Sequence, residues 1–141
     1  MSDYDTDILT WSERQAELLR RVGAGEAVNA QVDWDNVAEE VESVGRSQLA
    51  SVKSLLIQAL AHMLKAEAWP LSREVPHWRG EALRFRIDAA DVFAPSMHQR
   101  IDVADLYAKA LRILPEAIDG QPPLPVPQEC PVTLDKLLDL T

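Results

Sequence analysis

The sequence predicts an all-α protein: an antiparallel bundle of four to five helices with a Pro-rich C-terminal tail and a short terminal helix. Apolar residues recur every three or four positions almost everywhere up to residue 114, which is the period of a helix. No segment alternates between apolar and polar residues, and we expect no two-residue hairpin turn. A length of 141 residues suits one domain with one core.

The first helix is predicted to run from about Tyr4 to Val22. Its apolar face steps by three or four residues through Tyr4, Ile8, Trp11, Gln15, Leu18 and Val22. Aspartates near its start and arginines near its end suit the helix dipole, and Gly23 can end it. Residues 23–32 are predicted to form a loop.

The second helix is predicted to follow Asp33, a good N-cap residue, and to last until Trp69, because Pro70 cannot continue it. Gly45 lies inside this stretch and costs about 1 kcal/mol in a helix interior. The pattern therefore fits either one helix of about thirty-five residues or two shorter helices with Ser47 capping the second.

Prolines delimit the next two helices. Pro76 is well placed to open the third helix, and Pro95 follows its last apolar residue. Ser96 is the expected N-cap of a fourth helix, which reaches Leu114 before Pro115.

The C-terminal region changes character, since five of the nine prolines lie between Gly120 and Pro131. This stretch is expected to be extended or polyproline-like. Thr133 can then cap a short helix whose leucines pack on the bundle. We therefore divide the chain into a helical bundle domain, residues 1–119, and a tail with a short helix, residues 120–141.

Charge and cysteine content narrow the functional classes. The formal net charge is −9, which disfavours nucleic-acid binding because that requires cationic neutralisation of phosphates. No stretch approaches the roughly 18 apolar residues that cross a bilayer, and the N-terminus lacks the features of a signal peptide. One cysteine cannot form an intrachain disulfide. We therefore expect a cytoplasmic protein that binds neither nucleic acid nor membrane.

Several segments, in order along the chain, resemble the family called domain of unknown function 29. They are VAEEVESVGRS at 37–47 led by Trp34, residues 4–19 with Trp11 and Gln15, AHMLK at 61–65, His77-Trp78-Arg79 with Arg86, and ECPVTLDKLLD at 129–139. The resemblance implies an all-helical bacterial protein. It implies no activity and transfers no functional residue.

A candidate polar cluster comprises Glu39, Glu42, His62, Arg79 and Arg86. Glu39 and Glu42 share one helix face, and Arg79 and Arg86, seven residues apart, share another. The favoured interpretation is a structural ion-pair network that joins the second helix to the third. The alternative is a metal- or small-ligand-binding enzyme that uses these side chains.

Histidine and cysteine provide no recognisable site. The three histidines show no HxxxH or HExxH spacing, and Pro76 interrupts the one Glu-x-x-His pair, so we expect neither a metal nor a cofactor. The sequence places no histidine beside Cys130, as a cysteine hydrolase would need, and Cys130 is interpreted as a small residue under the tail.

The sequence therefore favours a non-catalytic protein-interaction module over an enzyme. Apolar side chains that the bundle does not bury would form an exposed patch, and such patches mark protein partners. A homodimer is the default. A weaker third hypothesis is nucleic-acid binding through the arginines from Arg73 to Arg86.

Overall fold

The computed structural model describes residues 2–140, so the end residues of the ranges 1–119 and 120–141 lie outside it. The helices are α1 (Asp3–Thr6), α2 (Ile8–Gly23), α3 (Trp34–Ala68), α4 (Val75–Val92), α5 (Val103–Arg112) and α6 (Leu134–Leu138). Short 3₁₀ segments occupy Asn29–Gln31 and Pro95–Arg100. Within residues 2–140 there is no β-strand, and the all-α prediction is confirmed.

The chain forms two compact units, one up to Arg46 and one from Ser47 onward. The division at residues 119 and 120 that we drew from the proline content stays a prediction. The first unit has a small apolar cluster of Leu18, Val28 and Val32. Trp11 and Gln15 are also buried on α2.

The first predicted helix is broken at Asp7, which separates α1 from α2. Asp7 has an irregular backbone, and its Oδ1 atom accepts a hydrogen bond from the backbone N–H of Thr10 at 3.1 Å. It therefore caps α2 and interrupts the apolar pattern on which the single-helix prediction relied.

The second predicted helix is one continuous helix, because α3 passes through Gly45 without interruption. Its 35 residues match the longer of the two alternatives. A Cβ atom added at Gly45 would meet nothing within 4 Å, so contacts within the chain do not require glycine there.

The second unit has the larger core. The second half of α3 supplies Val52, Leu56 and Leu60, which are at most 2% exposed, and α5 supplies Leu106 and Ala110. Two of the three leucines of α6, Leu134 and Leu137, are buried in the same cluster. A second cluster includes Trp69 and Trp78.

The fourth predicted helix is wrong over its first turns. Pro95–Arg100 is a 3₁₀ segment, and α5 begins only at Val103. Asp102 has an extended backbone, and its side chain accepts a hydrogen bond from the N–H of Ala104 at 3.0 Å. Capping by Asp102 therefore starts the helix later than Ser96 would have done.

The expectation of no hairpin turn is also wrong. Ile118 and Gln121 exchange two backbone hydrogen bonds, of 3.0 and 2.9 Å, around Asp119 and Gly120. Both central residues have positive φ, as this type of turn requires, and the Asp-Gly dipeptide was its signal. Farther along, Thr133 caps α6 as predicted, accepting from the N–H of Lys136. The polyproline-like conformation of the tail stays a prediction.

Candidate functional site

The two carboxylates of the predicted polar cluster pair with an arginine on their own helix. Arg46 Nη2 lies 2.6 Å from Glu39 Oε1, and Arg46 Nη1 lies 3.5 Å from Glu42 Oε2. All three side chains are more than half exposed. Arg46, four residues beyond Glu42 on the same helix, therefore takes the place predicted for Arg79 and Arg86.

Arg86 donates to backbone carbonyl oxygens, not to the expected carboxylates. Its Nε atom donates to the carbonyl of Leu137 at 2.8 Å, and its Nη2 atom donates to those of Lys136 at 3.0 Å and Asp139 at 3.1 Å. These carbonyls lie at the C-terminal end of α6, where a cation is favoured. Arg86 therefore acts as a structural clamp on the C-terminal helix.

The remaining members of the cluster occupy separate environments. His62 is half-buried, with Nδ1 2.7 Å from the carbonyl oxygen of Gln58 one turn earlier. Its ring lies 5.4 Å from that of Phe85. Arg79 is exposed on α4. Whether these residues form a functional site stays a hypothesis.

The first unit contains a polar network centred on Tyr4. The Tyr4 hydroxyl donates to Glu40 Oε1 at 2.6 Å, and Ser43 Oγ donates to Glu40 Oε2 at 3.2 Å. The hydrogen bond to Glu40, with some desolvation, raises the pKa of Tyr4 to about 12. The Tyr4 ring meets Trp11 edge to face, with centroids 4.7 Å apart.

Asp33, immediately before α3, extends this network. Its Oδ2 atom accepts hydrogen bonds from Asn36 Nδ2 at 2.8 Å and Trp11 Nε1 at 3.0 Å. These bonds, that from Asn36 foremost, lower the pKa of Asp33 below its ordinary value. The backbone N–H of Asp33 donates to Oε1 of buried Gln15 at 2.8 Å. The network therefore joins α2 to the start of α3.

Sequence reasoning missed this network, although its signal was present. Trp11 and Gln15 lie in the segment 4–19, and Glu40 lies in the segment VAEEVESVGRS, both of which carry the family resemblance. A tryptophan and a glutamine on the apolar stripe of one helix need partners when buried. Asp33 supplies both, because its carboxylate accepts from Trp11 and its backbone N–H donates to Gln15.

The network offers little for acid–base catalysis near neutral pH. Residues 1–46 contain no histidine and no cysteine. The pKa of Tyr4 is raised and that of Asp33 is lowered, so both move away from neutrality. Within residues 2–140, no three His, Cys, Asp or Glu side chains are grouped so as to hold a metal ion.

Two cavities open on the second unit. One, of about 270 Å³, is largely apolar and lies beside Trp69, Leu71, Ile118 and Leu124. The other, of about 540 Å³, is lined by ten residues, which include Tyr107, Glu129 and Cys130 but no histidine.

Two polar side chains of the second cavity, Tyr107 and Cys130, already have hydrogen-bond partners. Burial, with Glu67 and Cys130 nearby, raises the pKa of Tyr107, and its hydroxyl donates to the carbonyl of Pro127 at 2.5 Å. Cys130 Sγ donates to the carbonyl of Val132 at 3.2 Å.

The first unit also exposes apolar helix faces. On α3, Val41 is 68% exposed and Val44 is 62% exposed. With exposed Ala38 and Gly45 they form an uncharged surface, which we call the α3 face. At 100° per residue, Glu39 and Arg46 project away from this face, and Glu42 lies at its edge, about 40° from Ala38.

A second uncharged surface lies on α2. Its members are Ile8, Leu9, Ser12 and Leu19, all exposed, and we call it the α2 face. Ile8 is 51% exposed and Leu9 is 65% exposed. Ile8 and Leu19 adjoin the buried residues Trp11, Gln15 and Leu18 around the helix, so the α2 face borders the buried side of α2.

Comparison with protein families gives a match to the model described as "Domain of unknown function DUF29", over residues 4–141. The chain belongs to the DUF29 family. The family resemblance inferred from the sequence is therefore confirmed, and it covers essentially the whole chain. The description of DUF29 assigns no activity.

Among solved structures, the DUF29 chain is similar to an alpha-helical protein of unknown function from Rhodospirillum rubrum. The two share 26% sequence identity with a TM-score of 0.72, over 99% of this chain and 91% of the other. A comparison with curated proteins gave no significant match. Within residues 2–140, no helix has the length and apolar character needed to cross a membrane.

Proposed function

We propose that this DUF29 protein is a non-catalytic protein-interaction module whose partner binds the first unit. The exposed apolar surface of α3, with Val41 and Val44 both more than 60% exposed, is the observation that carries the proposal. Contiguous exposed apolar side chains are typical of protein-binding surfaces. The polar network of Tyr4, Glu40 and Asp33 then has a structural role, because it fixes the helices that display this surface.

Charge favours a protein partner over a nucleic acid. The net charge is −9, and residues 1–46 carry eleven acidic side chains against four basic ones. A phosphate backbone would be repelled by this unit. We place the protein in the cytoplasm, in keeping with its single cysteine.

The alternative, an enzyme that uses Glu39, Glu42, His62 and Arg86, would require existing contacts to break. Arg86 would have to release three backbone carbonyls, and Glu39 would have to release Arg46. The interaction module requires no such rearrangement, because the α3 face is already open.

Photo-crosslinking in cells of the source organism tests the proposal. A photoreactive amino acid at Val41 is expected to give a discrete crosslinked product with a protein. The same amino acid at Ser54, exposed on the same helix, is the matched control and should give none. Equal crosslinking at both positions, or none at Val41, would overturn the proposal.

A further inference from the structure

The first unit exposes more large apolar side chains than it buries in its apolar cluster. Six of the twelve large exposed hydrophobic residues in the described chain lie within its 46 residues. These six are Ile8, Leu9, Leu19, Trp34, Val41 and Val44. Its buried apolar cluster has three members, Leu18, Val28 and Val32. A unit this small buries too little surface for high stability by itself, so covering these faces would stabilise it.

The charge distribution indicates what kind of surface would cover them. Fifteen of residues 1–46 are charged, yet neither the α2 face nor the α3 face carries a charge. A cationic partner would be attracted to the acidic side of α3, where Glu39 and Glu42 lie, and not to the uncharged faces. The uncharged faces instead match a surface that is itself neutral and apolar.

We infer that a second copy of this chain covers the α3 face of the first unit, in an interface related by two-fold symmetry. This rests on the proposed function and names the partner. In such an interface the same patch meets itself, so a neutral apolar face is self-complementary. Two chains of net charge −9 repel each other, and an uncharged face is where that repulsion opposes contact least.

Interface size indicates that apolar residues beyond the α3 face also take part. A stable dimer buries about 800 Å² on each partner, which is more than two valines and their neighbours can supply. The other exposed large apolar residues of the first unit are Ile8, Leu9, Leu19 and Trp34, and the further area is expected from among them.

Gly45 is consistent with this arrangement. Glycine is unfavourable inside a helix, and nothing lies within 4 Å of the position its Cβ would occupy. The fold of a single chain therefore gives no reason for glycine there. A second helix packed on the α3 face could approach closely at a residue without a side chain.

Light scattering during size-exclusion chromatography tests the inference. The wild-type protein is expected to have twice the chain mass of 15.7 kDa. The double variant Val41→Gln, Val44→Gln should be monomeric at the same concentration. Its dissociation constant should be at least about tenfold higher than that of the wild type. Glutamine favours helix more than valine does, so the variant should keep its helical circular dichroism.

Leu71→Gln is the matched control, because Leu71 is 98% exposed in the second unit and off both faces. It should dimerise as the wild type does. A wild-type protein that stays monomeric up to the millimolar range, or a dimer that the double variant leaves intact, would overturn the inference. If crosslinking at Val41 captures a different protein while the wild type is monomeric, the proposed function stands and the second copy is excluded.

Discussion

Arg86 Nε lies 2.8 Å from the carbonyl oxygen of Leu137, fifty-one residues farther along the chain. Two further bonds from Nη2 reach the carbonyls of Lys136 and Asp139. The last carbonyls of a helix have no partners within it, and α6, with five residues, is too short to be stable alone. Arg86 therefore holds the C-terminal helix while Leu134 and Leu137 bury its apolar side.

Replacing Arg86→Ala should lower the free energy of unfolding by about 1–2 kcal/mol, because three carbonyls lose a charged donor at a partly exposed site. Chemical denaturation monitored by circular dichroism measures this change. Arg84→Ala is the control, since the exposed Arg84 makes an ion pair with the half-buried Glu81 and its loss should cost less than about 1 kcal/mol. Equal effects of the two substitutions would contradict the clamp.

The helices could be predicted from the sequence more completely than the side-chain contacts. The apolar periodicity and Pro70 predicted both ends of α3 closely, because helix formation and its interruption by proline depend on the local sequence. The breaks before α2 and α5 were missed because Asp7 and Asp102 cap helices inside patterns that look continuous. Side-chain capping competes with helix propagation at these positions. The pattern of apolar residues carries no information about this competition, because the capping residues are polar.

The candidate site was harder to predict for a different reason. Charge counting pairs arginines with carboxylates, whereas Arg86 bonds to backbone carbonyls, which every residue has. Its partners depend on where α6 docks, fifty residues away, and no local pattern fixes that position. The network of Tyr4 and Glu40 likewise joins residues thirty-six positions apart.

Tyr4→Phe should destabilise the protein at neutral pH, because phenylalanine cannot donate to Glu40. The pKa of Tyr4 is about 12 in the folded protein, above the ordinary 10.0. A raised pKa means that the contribution is complete below pH 10 and is lost as the pH rises through 12. The stability difference between wild type and Tyr4→Phe should therefore shrink across this window.

Ultraviolet absorbance of tyrosinate checks the same pKa directly. The chain has two tyrosines, and burial raises the pKa of Tyr107 as well. We expect no tyrosine to ionise at the ordinary value while the protein is folded. The Tyr107→Phe variant isolates the titration of Tyr4, and ionisation near pH 10 in that variant would contradict the Glu40 bond.

Asp33→Asn should destabilise the protein at neutral pH and much less in acid. The carboxylate accepts bonds from Asn36 and Trp11, so its pKa is lower when folded than the ordinary 3.8. A lowered pKa gives stability that is complete above 3.8 and is lost as the pH falls through the folded value. Urea midpoints of wild type and variant, compared at neutral pH and below 3.8, should therefore converge. Asp88→Asn, exposed on α4, is the control and should leave the urea midpoint at neutral pH close to that of the wild type.

Gly45→Ala should separate the stability of one chain from the association of two. Both Gly45 and Gly80 lie inside helices with nothing within 4 Å of an added Cβ. Alanine at either position should therefore stabilise the isolated chain by up to about 1 kcal/mol through helix propensity. Only Gly45 belongs to the α3 face, so only its methyl group would meet a second helix there. Denaturation at high dilution should show the same gain for Gly45→Ala and Gly80→Ala, while light scattering at high concentration should show weaker dimerisation for Gly45→Ala alone. If the Gly45→Ala and Gly80→Ala variants dimerise equally strongly, a close helix contact at Gly45 is excluded.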